Sequence, residues 1–332
     1  MPEVGQEGLE RLQSAHVAVV GVGGVGGAAA HYLAKEGVGH LRLIDQDIIE
    51  PSNLHRLHGA TREHLYHPKA DVAAESLARD NPWTRAESIV DTLRTSNVQQ
   101  LLSGCDLIVD GLDNFRTRYV LNQYSRDAET PYLFASAIAH QGHLALFNPP
   151  ETACLDCLMP NVVERDDESC ENLGVAAATV GLVGAIAASQ ASNFILASHS
   201  NLKEHLLTFD TMTLDFVLTP IPRRAGCETC SNPRAKINQQ SETVTVLCGG
   251  KSADVLPDHP LGLDLQRMSH SIPNDLLLAK SETVLVYKMG DLLISLFRTG
   301  RMRIEGVRGR ERALEVAKVV WELATNPVAQ QA

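Results

Sequence analysis

The stretch His16–Asp47 constrains the fold of this chain more than any other part of the sequence. It contains an apolar run at Val17–Val20, a glycine-rich turn, an Ala-rich segment and a second apolar run that ends at Asp45. This order predicts a strand, a tight turn, a helix and a second strand, the βαβ unit of a nucleotide-binding sheet. The turn carries glycines in G-x-G-x-x-G order at Gly21, Gly23 and Gly26.

Each position of the turn needs glycine for a different physical reason. Gly21 permits the tight turn, Gly23 lets the backbone approach a phosphate, and Gly26 lets the helix pack closely on the strand. A phosphate would lie at the N-terminus of the helix that begins near Val25, where unpaired N–H groups and the helix dipole favour negative charge. Asp45 is placed to accept hydrogen bonds from a ribose. The motif therefore predicts a nucleotide without specifying which one.

Composition narrows the class of protein. The 332 residues are enough for two domains, and a formal net charge of -11 argues against a nucleic-acid-binding surface. The N-terminus has no basic and apolar signal pattern, so we expect a cytoplasmic protein. In that compartment the seven cysteines are expected to be metal ligands or reactive thiols rather than disulfides.

One segment is long enough to span a bilayer. Residues Asn172–Leu202 contain no Asp, Glu, Lys or Arg, yet they are rich in Ala, Gly and Ser. Gln190, Asn193 and His199 lower the apolar character of the segment further. We therefore expect a buried or interface helix and no membrane span.

The order of predicted elements indicates the fold class. Strands alternate with helices through the first two thirds of the chain, which favours an α/β, Rossmann-like, mostly parallel sheet with helices on both faces. A polar segment at 233–242 is interpreted as a linker. Residues 243–332 then show four short strands and a helical pattern, which predict a small α+β domain. The domain prediction is 1–232, linker 233–242, and 243–332.

Two cysteine pairs give the strongest single chemical signal. Cys154-x-x-Cys157 is followed, after 69 residues, by Cys227-x-x-Cys230. Two such pairs are typical of a tetrahedral Cys₄ zinc site that is structural because every position is filled by protein. The alternative is four unrelated buried cysteines.

Polar side chains follow the strands of the predicted nucleotide domain. Arg and Lys can neutralise a triphosphate, and an Asp beside it can hold Mg²⁺. Taken singly, each residue could be a surface charge or a helix cap; together they favour ATP over NAD, which needs neither metal nor lysine. The candidate ligands are Gly21, Gly23, Gly24, Asp45, Asp47, Ser52, Asn53, Arg56, Lys69, Asp113 and Asn114.

An ordered set of motifs resembles the ThiF/MoeB/HesA family, the bacterial relatives of ubiquitin-activating enzymes. The set covers roughly Val4–Cys230, and the tail resembles the C-terminal extension of some ThiF-like proteins. The motifs are G-V-G-G-V-G, L-I-D-Q-D, S-N-L-H-R, the lysine at 69, G-L-D-N-F-R-T-R, the two C-x-x-C pairs and C-E-N-L-G-V at Cys170.

The resemblance implies a chemistry. A ubiquitin-like sulfur carrier ending in Gly-Gly would have its C-terminal glycine adenylated by ATP, leaving an acyl-adenylate for sulfur transfer from a donor protein, on a homodimeric enzyme. It implies Gly23 and Gly24 against the phosphates, and Asp45 on the ribose. It also implies Asn53, Arg56 and Lys69 on the triphosphate, with Asp113 supporting Mg²⁺ and the reacting phosphate.

Cys170 is a further candidate catalytic residue, because some members of the family bond a cysteine here to the carrier. Acidic neighbours would make its thiol less reactive, so a spectator role stays open.

Two departures from the family pattern support another class of function. The arginine-containing segment that the family carries before its first strand is missing, and Arg56 is followed by Leu57. A non-catalytic or heterodimeric partner that binds the carrier is therefore the alternative. An NAD-dependent dehydrogenase explains the glycine turn alone.

Overall fold

A computed structural model of the chain describes residues 4–160, 162, 174–197, 199–231, 243–246 and 251–325. The chain divides into two compact units. The first comprises Met1–Glu63 and Lys69–Asn238, and the second comprises His64–Pro68 and Gln239–Ala332. The predicted linker 233–242 and Cys170 lie outside the described residues and stay predictions.

The first unit is built on one eight-stranded sheet in the order β3-β2-β1-β4-β5-β6-β7-β8. Strands β1 to β5 pair in parallel and β6 to β8 pair antiparallel. The carboxyl ends of the parallel strands share one edge, where open sheets of this kind bind ligands. The strands are β1 (His16–Val20), β2 (His40–Ile44), β3 (Arg85–Ile89), β4 (Leu107–Asp110), β5 (Tyr132–Ile138), β6 (Gln141–Phe147), β7 (His205–Asp210) and β8 (Asp215–Pro220).

Helices cover both faces of this sheet. One apolar layer joins the sheet to α1, α2, α3 and α7, and the other joins it to α4, α5 and α6. This architecture confirms the predicted fold class. The helices are α1 (Gly5–Ser14), α2 (Gly24–Glu36), α3 (Lys69–Asp80), α4 (Val98–Leu102), α5 (Phe115–Ala128), α6 (Leu155–Leu158), α7 (Ala177–Ala197) and α8 (Glu228–Ser231), with 3₁₀ turns at Pro51–Asn53 and Arg62–His64.

Helix α7 is the apolar segment that the sequence placed in a buried or interface position. Within the described part of the chain it is the one helix long and apolar enough to cross a membrane. It packs on α2, and a Cβ added at Gly184 would lie 2.5 Å from the Cβ of Ala28. Val183 and Ala187 are fully buried. Small residues on both helices therefore allow their backbones to approach closely.

The second unit has its own core, formed by a six-stranded antiparallel sheet in the order β11-β12-β13-β14-β10-β9. The sequence missed β10, β11 and α9 because these elements are only four or five residues long. Its elements are β9 (Val244–Val246), β10 (Ser252–Val255), α9 (Leu265–Ser269), β11 (Leu277–Lys280), β12 (Val284–Met289), β13 (Leu292–Phe297), β14 (Met302–Glu305) and α10 (Arg310–Thr325).

Candidate nucleotide site and cysteine cluster

The glycine turn after β1 is pressed against the loop that follows β4. Gly21 has a φ of +83°, and a Cβ there would lie 2.7 Å from the carbonyl carbon of Gly111. A Cβ at Gly26 would lie 1.9 Å from the oxygen of Gly21, and one at Gly111 would lie 2.2 Å from the same oxygen. Three glycines thus bring the two loops together; the role of Gly111 was missed by the sequence analysis, although it borders the predicted ligand loop.

Gly23 has a different environment. An added Cβ there would meet none of the described atoms within 4 Å, whereas a Cβ at the next residue, Gly24, would clash with Val180. Gly23 immediately precedes α2, so the space beside it lies at the helix N-terminus, where backbone N–H groups favour an anion. This geometry fits the predicted approach of a phosphate.

The carboxylate of Asp45 is fixed by the backbone at the end of β2. Its two oxygens accept hydrogen bonds from the N–H groups of Val22 and Asp47, each at 2.7 Å. Burial raises the pKa of Asp45, and the positive charge of Lys69 opposes that shift. A carboxylate has about four lone-pair sites, so these contacts leave capacity for a ribose hydroxyl.

Two cationic side chains lie between the end of β2 and the first turn of α3. The Lys69 ammonium is 3.2 Å from the Asp47 carboxylate, and both side chains are partly exposed. Arg56 lies against the start of α2, where a Cβ added at Gly24 would be 3.4 Å from the Arg56 Cδ. The Arg56 guanidinium donates a hydrogen bond to the Ser52 carbonyl at 3.1 Å. The structure therefore brings both predicted cations to the glycine turn.

Several predicted ligands also have structural partners. Asn53 is buried, and its side-chain oxygen accepts from the Glu50 N–H at 3.4 Å, while Ser52 is exposed with its hydroxyl 3.4 Å from Glu50. The Asn114 oxygen accepts from the Thr117 N–H at 2.9 Å and caps α5. These contacts hold the loops, and nucleotide contacts by the three side chains stay predictions.

Asp113 is exposed on the loop between β4 and α5, next to the glycine turn. A buried ion pair at the base of this loop fixes its shape. Asp110 lies 3.1 Å from Arg118, accepts from the Tyr132 hydroxyl at 2.6 Å and accepts from the Leu112 N–H at 2.8 Å. Arg118 also donates to the carbonyls of Leu112 and Ala135.

The charge state of this buried pair follows from its geometry. Burial alone lowers the pKa of Arg118, but the neighbouring Asp110 outweighs it, so the pKa is raised and the guanidinium stays charged. No sequence pattern identified Asp110 and Arg118 as positioning residues, although Asp110 directly precedes G-L-D-N-F-R-T-R and Arg118 ends it. A charged residue inside a buried apolar run was the available signal.

The four predicted cysteines meet in one cluster. Their sulfur atoms all lie within 4.8 Å of one another. The Sγ of Cys154 is 3.9 Å from that of Cys157, 3.7 Å from that of Cys227 and 3.4 Å from that of Cys230. Four thiolates at about 2.3 Å from a tetrahedral zinc ion would be separated by about 3.8 Å. The geometry therefore fits a Zn²⁺ ion.

The electrostatics of the cluster agree with this fit. Burial, followed by the nearby Cys230 sulfur, raises the pKa of Cys154, and burial raises the pKa of Cys230 to about 11. At Cys157, hydrogen bonds to the thiolate outweigh burial and lower the pKa. Four clustered thiolates would repel one another without a cation. The cluster could thus hold zinc, and it would link the segment after β6 to the segment after β8.

Comparison with known proteins agrees with this architecture. The ThiF family model matches residues 1–230, which include the glycine turn and the cysteine cluster. The chain belongs to the ThiF family. The sulfur carrier protein adenylyltransferase of Thermus thermophilus is 34% identical over 238 residues, which cover 70% of this chain and 88% of that protein. The SAMP-activating enzyme E1 of Haloferax volcanii is 36% identical over 231 residues, covering 69% and 85%.

A further relative and a solved structure are also similar to this chain. The molybdopterin-synthase adenylyltransferase of Salmonella typhimurium is 32% identical, covering 68% of this chain and 90% of that protein. Among solved structures, E. coli MccB with ATP superposes with a TM-score of 0.61 at 21% identity, covering 68% of this chain and 69% of that one. At that identity the likeness to MccB concerns the fold alone.

Proposed function

We propose that this ThiF-family chain uses ATP to adenylate the C-terminal glycine of a ubiquitin-like sulfur-carrier protein. The observation that carries the proposal is the convergence of the Gly23 turn, Lys69, Arg56 and the Asp113 loop at one edge of the sheet. One relative is named as a sulfur carrier protein adenylyltransferase and another as a molybdopterin-synthase adenylyltransferase, and these names support the reaction and the substrate class.

Each part of ATP would bind groups that follow a different strand along this edge of the sheet. The ribose would bind Asp45 after β2, and the phosphates would bind the turn around Gly23 and Gly24 after β1. Arg56 and Lys69 would neutralise the triphosphate, Lys69 by exchanging Asp47 for a phosphate oxygen. Asp113 would support Mg²⁺, which commonly takes one or two protein carboxylates together with phosphate oxygens.

The reaction needs positioning more than a protein nucleophile. The carrier's C-terminal carboxylate attacks the α-phosphorus of ATP, the bond from that phosphorus to the bridging oxygen breaks, and pyrophosphate leaves. Negative charge builds up on the phosphate oxygens, where Arg56, Lys69 and the N–H groups at the start of α2 would stabilise it. The buried Asp110–Arg118 pair would keep the Asp113 loop from moving away.

We further propose that the four cysteines hold a structural zinc ion. Zinc would fix the two chain segments to each other and would take no part in the reaction, because protein sulfur fills all four positions. Cysteine pairs that bind zinc rather than form disulfides are typical of a reducing compartment, so we place the protein in the cytoplasm.

The partners of the reaction are proteins. The edge strand β8 exposes Phe216, Val217 and Leu218 by about half of their surface. An apolar edge strand of this kind marks an interaction surface. It supports a carrier, a sulfur donor or a second subunit of a homodimer as partner. A non-catalytic scaffold would not need Arg56, Lys69 and Asp113 on one edge, so we place the enzyme first.

Mass spectrometry of the carrier tests the proposal. The chain is mixed with Mg-ATP, pyrophosphatase and a recombinant ubiquitin-like carrier that ends in Gly-Gly, encoded in the same genome. We expect the intact carrier to gain the mass of one AMP, and a carrier without its last glycine to gain none. Binding of the carrier without any AMP adduct would favour the scaffold instead.

A further inference from the structure

His143 has an unsatisfied ring nitrogen. Within the described part of the chain, its Nδ1 is buried and has no hydrogen-bond partner. Leaving a buried polar atom unpaired costs free energy, so such an atom in a native protein calls for an explanation. The side chain as a whole is only partly buried, whereas Nδ1 itself has almost no exposed surface, so a ligand at the surface would reach Nδ1 only after a half-turn of the ring about the Cβ–Cγ bond.

The position of His143 in the sheet connects it to the nucleotide edge. It is the third residue of β6, which runs antiparallel to β5, so it lies near the edge where the parallel strands end. It pairs with Ser136 on β5 and Thr208 on β7. Its side chain shares the face of Phe134 and Ala145, which is the face covered by α5.

Arg118 links this position to the Asp113 loop. Its guanidinium lies 5.0 Å from the centre of the Phe134 ring and donates to the carbonyls of Ala135 and Leu112. Burial, followed by the charge of Arg118, lowers the pKa of His143. Because the ordinary value is 6.5, the imidazole is neutral at neutral pH and offers one donor and one acceptor.

A neutral imidazole suits an amide better than a phosphate. The strand order places the ribose site at β2, the glycine turn at β1 and Asp113 at β4, with His143 two strands further on, at β6. Two strand spacings amount to about 10 Å, and an extended peptide covers about 3.3 Å per residue. A peptide that reaches the Asp113 loop from the β6 side would therefore pass His143 about three residues before its C-terminus.

We propose that His143 hydrogen-bonds the backbone of the carrier's C-terminal tail, about three residues before the glycine that is adenylated. This inference rests on the proposed function and adds a binding contact for its protein substrate. His143 would not touch the reacting atoms, so it would set the affinity for the carrier rather than for ATP.

Steady-state kinetics of carrier-dependent pyrophosphate exchange test the contact. The variants are His143→Leu, which removes the hydrogen bond, His143→Gln, which can replace it, and the control Ser295→Ala. Ser295 also has a buried, unpartnered polar atom, but it lies in the core of the second unit. The probe is a recombinant ubiquitin-like carrier ending in Gly-Gly that supports exchange by the wild type.

We expect His143→Leu to raise the KM for the carrier by about three- to tenfold, with the KM for ATP unchanged. His143→Gln should stay close to the wild type, and Ser295→Ala should change neither constant. The melting temperature of His143→Leu should not fall, because the change removes an unpaired buried polar atom.

A variant of the carrier distinguishes loss of the contact from damage to the fold of the enzyme. A carrier with proline at the third residue from its C-terminus lacks one backbone N–H, and it should lose affinity for the wild type more than for His143→Leu. An unchanged carrier KM in His143→Leu, or equal rises in both KM values, would overturn the contact while leaving the proposed function intact. Absence of exchange by the wild type with every carrier would instead overturn the proposed function.

Discussion

The cysteine cluster and the nucleotide edge are organised in opposite ways. In the cluster, the four sulfur atoms already lie within 4.8 Å of one another, so the protein supplies a complete set of ligands. At the nucleotide edge, the charged side chains come from separate loops and pair with protein groups, as Lys69 does with Asp47. A metal would complete the first arrangement, whereas a nucleotide would have to replace contacts in the second.

The difference shows what each region demands from the sequence. The cluster needs four cysteines whose sulfur atoms meet at one point. The edge needs glycines that cannot accept a side chain, because Gly21, Gly26 and Gly111 bring two loops into contact. Its geometry therefore depends on the close packing of these backbones as well as on the groups that would bind the nucleotide.

Loss of zinc should give the largest effect. Cys154→Ser together with Cys227→Ser should abolish stoichiometric zinc and destabilise the first unit by on the order of 5 kcal/mol or more. Atomic absorption and chemical denaturation measure the two effects. The matched control is Cys105→Ser, since Cys105 lies outside the cluster. A double variant that retains one zinc per chain would contradict the Cys₄ assignment.

Asp113→Ala should leave the fold intact and remove activity. Because the side chain is exposed and would act on Mg²⁺ and the reacting phosphate, we expect exchange to fall by about 10²- to 10³-fold. The circular dichroism spectrum and the melting temperature should match those of the wild type. Asp258→Ala is the control, an exposed aspartate of the second unit. Full activity in Asp113→Ala would remove this residue from the reaction.

Three glycine substitutions distinguish packing from ligand binding on one turn. Gly26→Ala should lower stability by about 1–3 kcal/mol, because its Cβ would lie 1.9 Å from the Gly21 oxygen. Gly27→Ala, one residue later in the same helix, should be tolerated, since its contact at 3.5 Å is ordinary. Gly23→Ala should keep its stability but raise the KM for ATP. Denaturation curves and ATP titrations separate the three; equal stability of the Gly26 and Gly27 variants would contradict the close packing.

The smallest effect should be a pH dependence of stability from His58. Burial, followed by the neighbouring His31, lowers the pKa of His58 in the folded protein. The folded state therefore binds fewer protons than the unfolded state just below the ordinary value of 6.5, so stability falls as the pH drops through that range. His58 is exposed at the surface, so solvent screens the effect and the loss should be well below about 1 kcal/mol. In urea denaturation, His58→Asn should flatten this slope, while the exposed His259→Asn should not; equal slopes in all three proteins would refute the assignment.

Much of the fold was predictable because the local sequence patterns favour the same elements as the tertiary structure. The G-x-G-x-x-G turn, the apolar strands and Pro68 before α3 each predict the element that forms. Strands β7 and β8 were not predicted. β8 is exposed along its whole length and lacks the alternation that one buried face would produce.

The residue types of the candidate site were predictable, but the buried contacts that hold its loops in place were not. Spacing alone gave the cysteine cluster, since the four sulfur atoms meet as expected. The contact between Gly21 and Gly111 joins loops after two strands that are distant in sequence, so no local pattern shows it. Asp110 and Arg118 are only eight residues apart, but their further partners Tyr132 and Ala135 lie on β5. His143 was missed because a single histidine in an apolar strand is usually only a core residue.

Carrier-dependent ATP–pyrophosphate exchange is the most direct test that this chain adenylates a carrier. Labelled pyrophosphate is incubated with the full chain, Mg-ATP and a carrier ending in Gly-Gly. We expect incorporation of label into ATP only when the carrier has an intact C-terminal glycine, and we expect this incorporation to be lost in Asp113→Ala. Incorporation without any carrier, or none with every carrier that binds the chain, would contradict the claim.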